Sequence, residues 1–430
     1  MPSGYLMQKE RLPFMIEKLI LQNGIRVVHE HLSHVRSCAI GVWVQSGGRH
    51  EPEQLCGISH FIEHMMFKGT EKYTAAALAE EFDTIGGQVN AFTTKENTCY
   101  YARTLDTHLQ KAASLLADMY FNSAFKEEDT DLERGVILEE IGMYEDTPED
   151  LANELLFAEV FKGQSLGRPI LGTKESLAGI SGQSLKDYRA KCYTPENTLI
   201  SICGSYTEED LVAVCRMFDG MAKCPVPKIG EAKYGPAVSL KSKDIEQNHL
   251  IIGFPGLEIG SEKRYALNVM NNILGGGMSS RLFQTVREKH GLCYTIYSFS
   301  SLYTGAGVFG VYVALGKETE MQALNLMKSE LLRFKNSGVT DAELSRAKEQ
   351  LKSSVLMGME STTSRMSSIA RSELNYGRYI SEEEIVRKLD MVGHDDIAKL
   401  CGEIIDFERM SFSAVGNLRK ENEYMDAIRG

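Results

Sequence analysis

The sequence lacks both the long apolar run of a membrane protein and the cysteine pairs of a disulfide framework. No apolar stretch approaches the roughly 20 residues that span a bilayer. The nine cysteines are scattered, odd in number and without a C-x-x-C pair. The N-terminal stretch has no continuous apolar core and includes Glu10 and Glu17, so we expect neither a secretory signal nor a transit peptide. These absences predict a cytoplasmic protein with reduced thiols.

Basic side chains are outnumbered by acidic ones. The chain has 47 Lys and Arg against 59 Asp and Glu, a net charge of −12. This charge disfavours nucleic acid and anionic membrane as partners, and would suit a basic substrate. A composition of 43% hydrophobic and 25% charged residues is typical of a globular protein. The length of 430 residues suits two domains of about 200 residues each.

Proline and glycine are concentrated between two halves of similar pattern. Residues 223–238 hold three of the ten prolines and two glycines, as an interdomain linker does. We therefore predict a first domain over 1–222 and a second over 239–430. Each half mixes strands with clustered helices, which predicts an α+β fold with a mostly antiparallel sheet packed against helices.

Local patterns predict individual elements and a tandem duplication. "EKLILQNGIRVVHEH" is typical of a β-hairpin that turns at Asn23-Gly24. "DLERGVILEE" in the first half aligns with "ELSRAKEQLK" in the second, which places Ser345 over Glu133 and Lys352 over Glu140. The second copy has therefore lost two carboxylates. Apolar periodicity predicts helices over 53–69, 127–146, 207–222, 317–336 and 340–362, and a strand over 98–105.

The stretch "GISHFIEHMMFKGT" places three ionisable side chains in a mostly apolar helix. His60 and His64 lie one helical turn apart on the same face, and Glu63 flanks them. Two imidazoles at this spacing suit zinc, and a free carboxylate beside them suits a general base. The alternative is a helix with two hydrogen-bonded core histidines and an incidental glutamate.

The helix predicted over 127–146 offers a third ligand. Glu133 and Glu140 are seven residues apart and share a face, with Val136 and Ile137 between them. Glu139 points about 100° away and is predicted to be exposed or to support the site. Glutamates on an apolar stripe are rarely buried unless paired or bound to metal. The alternative is a solvated acidic helix.

Together these residues predict amide hydrolysis. Two histidines and Glu140 give three protein ligands and leave an open position, as catalytic zinc sites do. Glu63 would take a proton from water and pass it to the leaving amine.

The motif His60-Phe61-Ile62-Glu63-His64 is the inverted zincin signature H-x-x-E-H. Followed by the Glu133–Glu140 pair, it resembles the insulinase/pitrilysin family of zinc peptidases. Within that family the chain resembles the processing-peptidase branch, which includes the mitochondrial processing peptidase and its bacterial relatives. The resemblance covers nearly the whole chain.

The resemblance implies roles for particular residues and one zinc ion per chain. His60, His64 and Glu140 would be the metal ligands, Glu63 the catalytic base and Glu133 a supporting carboxylate. The second domain would have no metal site.

Two further stretches match family segments. "NAFTTKENTCYY" resembles the strand that pairs with substrate, so Asn90, Ala91 and Phe92 would line a bound peptide. Without the resemblance to this family, the stretch would be interpreted as an ordinary edge strand. In "GGGMSSRLFQTVREKHGLCYT", Arg287 and Tyr294 match an R-x6-Y pair that would hold the substrate carbonyl.

The resemblance implies a bacterial endopeptidase for short or unfolded peptides that works as a pair of chains. We expect a homodimer, or a heterodimer with a related subunit. A non-catalytic partner subunit of a related peptidase or assembly is the main alternative, because some family members keep the fold and lose the motif. A small-molecule metal hydrolase is a third.

Overall fold

A computed structural model describes residues 6–11, 16–220 and 229–429. The predicted linker residues 223–228 and the end of the helix predicted over 207–222 lie outside the described residues. The strands are β1 (Leu6–Arg11), β2 (Ile16–Leu21), β3 (Arg26–His31), β4 (Ser37–Val44), β5 (Gln88–Thr93), β6 (Thr98–Leu105), β7 (Thr198–Gly204), β8 (Val238–Ser242), β9 (Asn248–Pro255), β10 (Thr295–Tyr303), β11 (Ala306–Leu315) and β12 (Ser411–Gly416). The helices are α1 (Ile58–Met66), α2 (Ala75–Thr84), α3 (Leu109–Asn122), α4 (Glu127–Glu145), α5 (Pro148–Val160), α6 (Lys174–Ala178), α7 (Gly182–Cys192), α8 (Glu208–Met217), α9 (Arg264–Gly275), α10 (Glu320–Ser337), α11 (Asp341–Gly358), α12 (Thr362–Tyr376), α13 (Glu382–Met391), α14 (His394–Ile404) and α15 (Glu421–Arg429).

Among the described residues, the first sheet has seven strands in the order β1-β2-β3-β7-β4-β6-β5. Neighbouring strands are antiparallel except β3 and β7, which run parallel. The predicted hairpin is confirmed, since β2 and β3 pair on either side of Asn23-Gly24. Gly24 has φ +101°, a backbone conformation that favours glycine at this turn.

The second sheet repeats the topology of the first. In the part of the chain that the structure describes, its five strands have the order β10-β11-β9-β12-β8, and only β12 and β8 are parallel. Numbered along the chain from β3 and from β8, both five-strand sets read 1-5-2-4-3, with the parallel pair at the same place. A tandem duplication produces this repeat, and the predicted α+β class is confirmed.

Two compact units are formed, and each is built from three separate segments of the chain. The segments are Met1–Ile141, Arg168–Gly230 and Met357–Ser381 in the first unit, and Gly142–Gly167, Glu231–Leu356 and Glu382–Gly430 in the second. Helix α12 therefore belongs to the first unit and α5 to the second. The predicted domains, 1–222 and 239–430, are the two duplicated halves of the sequence and differ from these compact units. That division stays a prediction.

Helix α12 covers one face of the first sheet. Its Met366 and Ile369 are buried in one apolar cluster with Trp43 of β4. On the opposite face of β4, Ile40 and Val42 belong to the core that α1 and α3 also line. Burial on both faces explains why β4 has a continuous apolar sequence rather than an alternating one.

Some predicted helices are shorter in the structure. The helix predicted over 53–69 is α1 alone, and residues 53–55 form a separate 3-10 turn. Gly57, with φ +93°, marks the start of α1 and separates it from this turn. Strand β8 begins at Val238, the last residue of the predicted linker. Among the described residues, no helix combines the length and apolarity needed to cross a bilayer.

The packing of α12 on the first sheet can be tested by truncating a buried side chain. Met366→Ala should lower the free energy of unfolding by about 2–5 kcal/mol, because Met366 is fully buried and its loss leaves a cavity. Met357→Ala, at a side chain that is 63% exposed, should change it by less than about 0.5 kcal/mol. Urea unfolding followed by circular dichroism measures both. Equal effects would contradict the packing described.

Candidate metal centre and active site

Helix α1 carries the histidine pair on a short, largely buried element. Phe61 and Ile62 are fully buried in the core of the first unit, which fixes the helix against the sheet. His60 is 7% exposed, and His64 is half-buried. The two imidazole rings lie 4.5 Å apart between centroids, as expected for side chains one turn apart.

Helix α4 presents Glu140 to both histidines. Glu140 Oε2 lies 3.7 Å from His60 Nε2 and 3.5 Å from His64 Nε2. One ligand atom from each of these three residues lies within 4.8 Å of the others. Among the described residues, this is the single cluster of three such side chains with that spacing.

These distances fit a zinc ion. With metal–ligand bonds of about 2.0–2.2 Å in a tetrahedron, ligand atoms lie about 3.3–3.5 Å from one another. The distances from Glu140 Oε2 to the two histidine Nε2 atoms equal this separation or exceed it by a few tenths of an ångström. Two nitrogens and one carboxylate oxygen are also ligands that zinc accepts.

Glu133 orients His64 from the side away from Glu140. His64 Nδ1 lies 2.8 Å from Glu133 Oε1, and Lys68 Nζ lies 2.5 Å from Glu133 Oε2. An ionised carboxylate can only accept, so this contact favours the tautomer of His64 that carries its proton on Nδ1 and leaves the lone pair of Nε2 for a metal ion. A carboxylate behind a ligating histidine is the usual arrangement in metal sites.

His60 is held differently. Its Nδ1 is buried and has no hydrogen-bond partner among the described residues. Burial, and to a lesser extent the neighbouring His64, lower the pKa of His60 to about 3. The ring is therefore neutral, which is the form that binds a metal ion.

Glu63 lies beside the histidines and is fixed by a strand residue. Thr93 Oγ1 donates a 2.5 Å hydrogen bond to Glu63 Oε2. Burial raises the pKa of Glu63, and the hydrogen bond from Thr93 opposes that rise. A half-buried carboxyl with a raised pKa suits a group that takes up and releases a proton.

Asn90, Ala91 and Phe92 lie on β5, which is the last strand of the first sheet. Asn90 is exposed, whereas Ala91 and Phe92 are half-buried. The strand that carries these three residues ends at Thr93, which contacts Glu63. The edge of the sheet thus adjoins the histidine pair within the first unit.

Arg287 and Tyr294 lie together in the second unit. The Arg287 guanidinium is 4.9 Å from the centre of the Tyr294 ring and 4.5 Å from that of Phe283. Tyr294 is 75% exposed, so its hydroxyl is accessible. The two stacked rings restrict the guanidinium to one region.

One prediction for α4 was wrong. Val136 was predicted to share the apolar face with Ile137, but Val136 is 50% exposed while Ile137 is fully buried. At about 100° per residue the two side chains point in different directions, and the core is contacted only on the Ile137 side. Glu133 is buried, and Glu139 is exposed as predicted.

The chain matches two family models in succession. The model described as "Insulinase (Peptidase family M16)" matches residues 26–174, and the model described as "Peptidase M16 inactive domain" matches residues 179–351. The chain belongs to the insulinase family. The first range contains the histidine pair with Glu133 and Glu140, and the second contains Arg287 and Tyr294.

Relatives extend over nearly the full length. A Bacillus subtilis protein named "uncharacterized zinc protease YmxG" is 42% identical over 407 residues, which are 94% of this chain and 100% of the relative. A Streptomyces coelicolor protein, also named an uncharacterized zinc protease, is 38% identical over 94% of this chain and 90% of its own length.

Solved structures share the fold. A protease from Helicobacter pylori matches with a TM-score of 0.86 at 19% identity, over 96% of this chain and 100% of its own. A Pseudomonas fluorescens protein described as a peptidase M16 inactive domain matches with a TM-score of 0.87 at 19% identity, over 94% and 98%.

Sequence reasoning missed two residues of the site. Thr93 is one of two adjacent threonines after Phe92, and no sequence signal distinguishes it from Thr94. Lys68 follows His64 by four residues, the spacing of a helical neighbour, which could have indicated it. It was missed because its partner Glu133 is on another helix.

Removing a carboxylate from α4 tests the metal centre. Glu140→Gln should weaken zinc binding strongly, since it replaces a charged ligand. Glu133→Gln should weaken it by roughly 10–100-fold, because it affects only the orientation of His64. Competition with a chromophoric chelator measures both dissociation constants. Glu139→Gln, on the exposed side of the same helix, is the control and should bind zinc as the wild type does; a loss of affinity in it would contradict the assignment.

Proposed function

We propose that this protein is a zinc metalloendopeptidase that hydrolyses short or unfolded peptides. The observation that carries the proposal is the convergence of His60, His64 and Glu140, with Glu63 fixed beside them by Thr93. Membership of the insulinase family supports it, as does the naming of relatives as uncharacterized zinc proteases. The single ligand cluster among the described residues supports one zinc ion per chain.

The zinc ion and the side chains of the protein would contribute different parts of the hydrolysis. When bound, zinc supplies a Lewis acid that lowers the pKa of a water molecule and polarises a carbonyl. Glu63 acts as the general base: it takes a proton from the attacking water and passes it to the nitrogen of the leaving amine. Thr93 holds one oxygen of Glu63, so the other oxygen is free for this transfer.

The substrate is proposed to bind as an added strand on β5. An edge strand presents backbone N–H and C=O groups that an extended peptide can pair with. Asn90, Ala91 and Phe92 would then line the peptide next to Glu63. Because main-chain hydrogen bonds supply much of the affinity, this mode accepts varied sequences but requires an extended chain. Folded proteins would be excluded for that reason.

Arg287 and Tyr294 are proposed to hold the carbonyl oxygen of the substrate. A guanidinium and a phenol are donors that can stabilise the negative charge that develops on this oxygen. Their close stacking and the exposure of Tyr294 support the assignment.

We further infer that the protein belongs to the processing-peptidase branch, acts in a bacterial cytoplasm and works as a pair of chains. These inferences rest on the motif pattern, the length and the bacterial relatives. A homodimer is the first expectation and a heterodimer with a related subunit the second.

A non-catalytic role within an assembly is the alternative function. A chain of complex III2 from Candida albicans shares the fold with a TM-score of 0.83 at 20% identity, over 96% of this chain and 99% of its own. At this identity the likeness concerns the fold alone. The ligand cluster and the base favour catalysis over this alternative.

Glu63→Gln should separate metal binding from turnover. The ligands remain, so zinc content should stay near that of the wild type, while the rate should fall by about 10²–10⁴-fold because the base is gone. A library of quenched fluorescent peptides measures cleavage, and metal analysis of the same sample measures zinc.

Two samples complete the comparison. Glu53→Gln, at an exposed position, should cleave at the wild-type rate. Chelated wild type should be inactive. Cleavage by Glu63→Gln at the wild-type rate would refute the mechanism, and zinc without any cleavage by the wild type would favour the partner-subunit alternative.

A further inference from the structure

The first turn of α1 is buried, and its backbone N–H groups are capped by a side chain that lies before the helix in the sequence. The residue before the helix is Gly57, which has no side chain to accept hydrogen bonds. The first N–H groups of a helix have no partner within it and need acceptors when they are buried. Glu51 supplies them: its Oε2 accepts from the Gly57 N–H at 2.7 Å, and its Oε1 from the Ser59 N–H at 2.8 Å.

Glu51 is itself held in place. Its side chain is almost fully buried, and its backbone carbonyl accepts a 2.7 Å hydrogen bond from Arg168 Nη1. Burial raises the pKa of Glu51 to about 7 even though the two N–H donors, which favour the charged form, oppose that rise.

The chain on either side of Gly57 is also fixed. Ser176 Oγ donates to the backbone carbonyl of Cys56 at 2.7 Å. A Cβ on Gly57 would lie 2.7 Å from Gly172 Cα, so the two backbones are in direct contact. The carboxylate of Glu51 therefore connects a hydrogen-bonded loop to the start of the helix.

The two histidines differ in how they are held. The ring of His64 is oriented by the side chain of Glu133. The ring of His60 has no such contact, since its Nδ1 has no hydrogen-bond partner among the described residues. The position of His60 consequently depends on the backbone of the first turn. His60 directly follows Ser59, whose N–H is bound to Glu51.

We propose that Glu51 is a positioning residue of the metal centre: by capping the first turn of α1 it sets where His60 Nε2 lies relative to Glu140. The inference rests on the proposed function, because it assumes that His60 binds the ion. Glu51 acts through the backbone, whereas Glu133 acts through a side chain.

The test is the isosteric variant Glu51→Gln. Glutamine offers one accepting oxygen and an amide NH₂ that meets the second N–H donor, so one hydrogen bond is lost. The dissociation constant for zinc should rise by about tenfold, the lower end of the range for partners that orient ligands. Cobalt(II) is the second probe, because its visible spectrum reports the geometry of its ligands, and the spectrum of the variant should differ from that of the wild type.

Glu320→Gln is the matched control. Glu320 is also a fully buried carboxylate, and it binds Asn248, Tyr424 and Arg419 in the second unit. The Glu320→Gln variant should have a lower melting temperature than the wild type, with the zinc dissociation constant and the cobalt spectrum both unchanged. If Glu51→Gln behaved in the same way, the residue would be structural only and the inference would be wrong.

A second variant covers the case in which Glu51→Gln does not fold. Arg168→Met loosens the backbone of Glu51 without changing the cap, so it should raise the zinc dissociation constant by a smaller factor. An unchanged constant in this variant would also overturn the inference. A wild type that binds no zinc would instead refute the proposed function, so the two failures are distinguishable.

Discussion

The proposed centre depends on one constraint: two neutral imidazoles on the same short helix must direct their lone pairs at a single point. A free imidazole ring rotates and exchanges its proton between two nitrogens, so the surrounding chain has to fix both properties. Glu133 does this for His64 through a hydrogen bond to Nδ1. Burial keeps His60 neutral, and the fixed start of α1 holds its backbone. Helix α4 then brings Glu140 within 3.7 Å of both rings.

The tandem duplication explains why the proposed ligands lie in one half of the chain while the other half has the same fold with different side chains. The two sheets share a strand order, so the fold does not require the metal residues. In α11, Lys352 aligns with Glu140 and pairs with Glu349 and Asp390 instead. The second half keeps the architecture and has a basic side chain where the first has the proposed ligand Glu140. Its proposed contribution to catalysis comes from Arg287, on a different element.

The sequence predicted features that depend on local spacing. The i, i+4 histidines, the shared face of Glu133 and Glu140, and the hairpin at Asn23-Gly24 all follow from periodicity or turn chemistry over a few residues. The class α+β followed from the order of elements.

Features that depend on distant contacts were not predictable. The placement of α12 on the first sheet depends on packing between residues more than 150 positions apart, such as Trp43 and Met366. The hydrogen bond from Thr93 to Glu63 joins a strand to a helix, and nothing in the local sequence indicates it. The cap from Glu51 spans only six to eight residues, but it follows no periodic pattern that would indicate it. The exposure of Val136 depended on which side of α4 the core contacts.

Zinc-edge X-ray absorption on the metal-loaded protein tests the central claim most directly, because it reports the ligand atoms and their distances without requiring a substrate. The account predicts two imidazole nitrogens at about 2.0–2.1 Å, oxygen in the remaining positions and no sulfur. A sulfur shell at about 2.3 Å, or a spectrum without imidazole, would place the ion elsewhere and contradict the assignment of His60, His64 and Glu140.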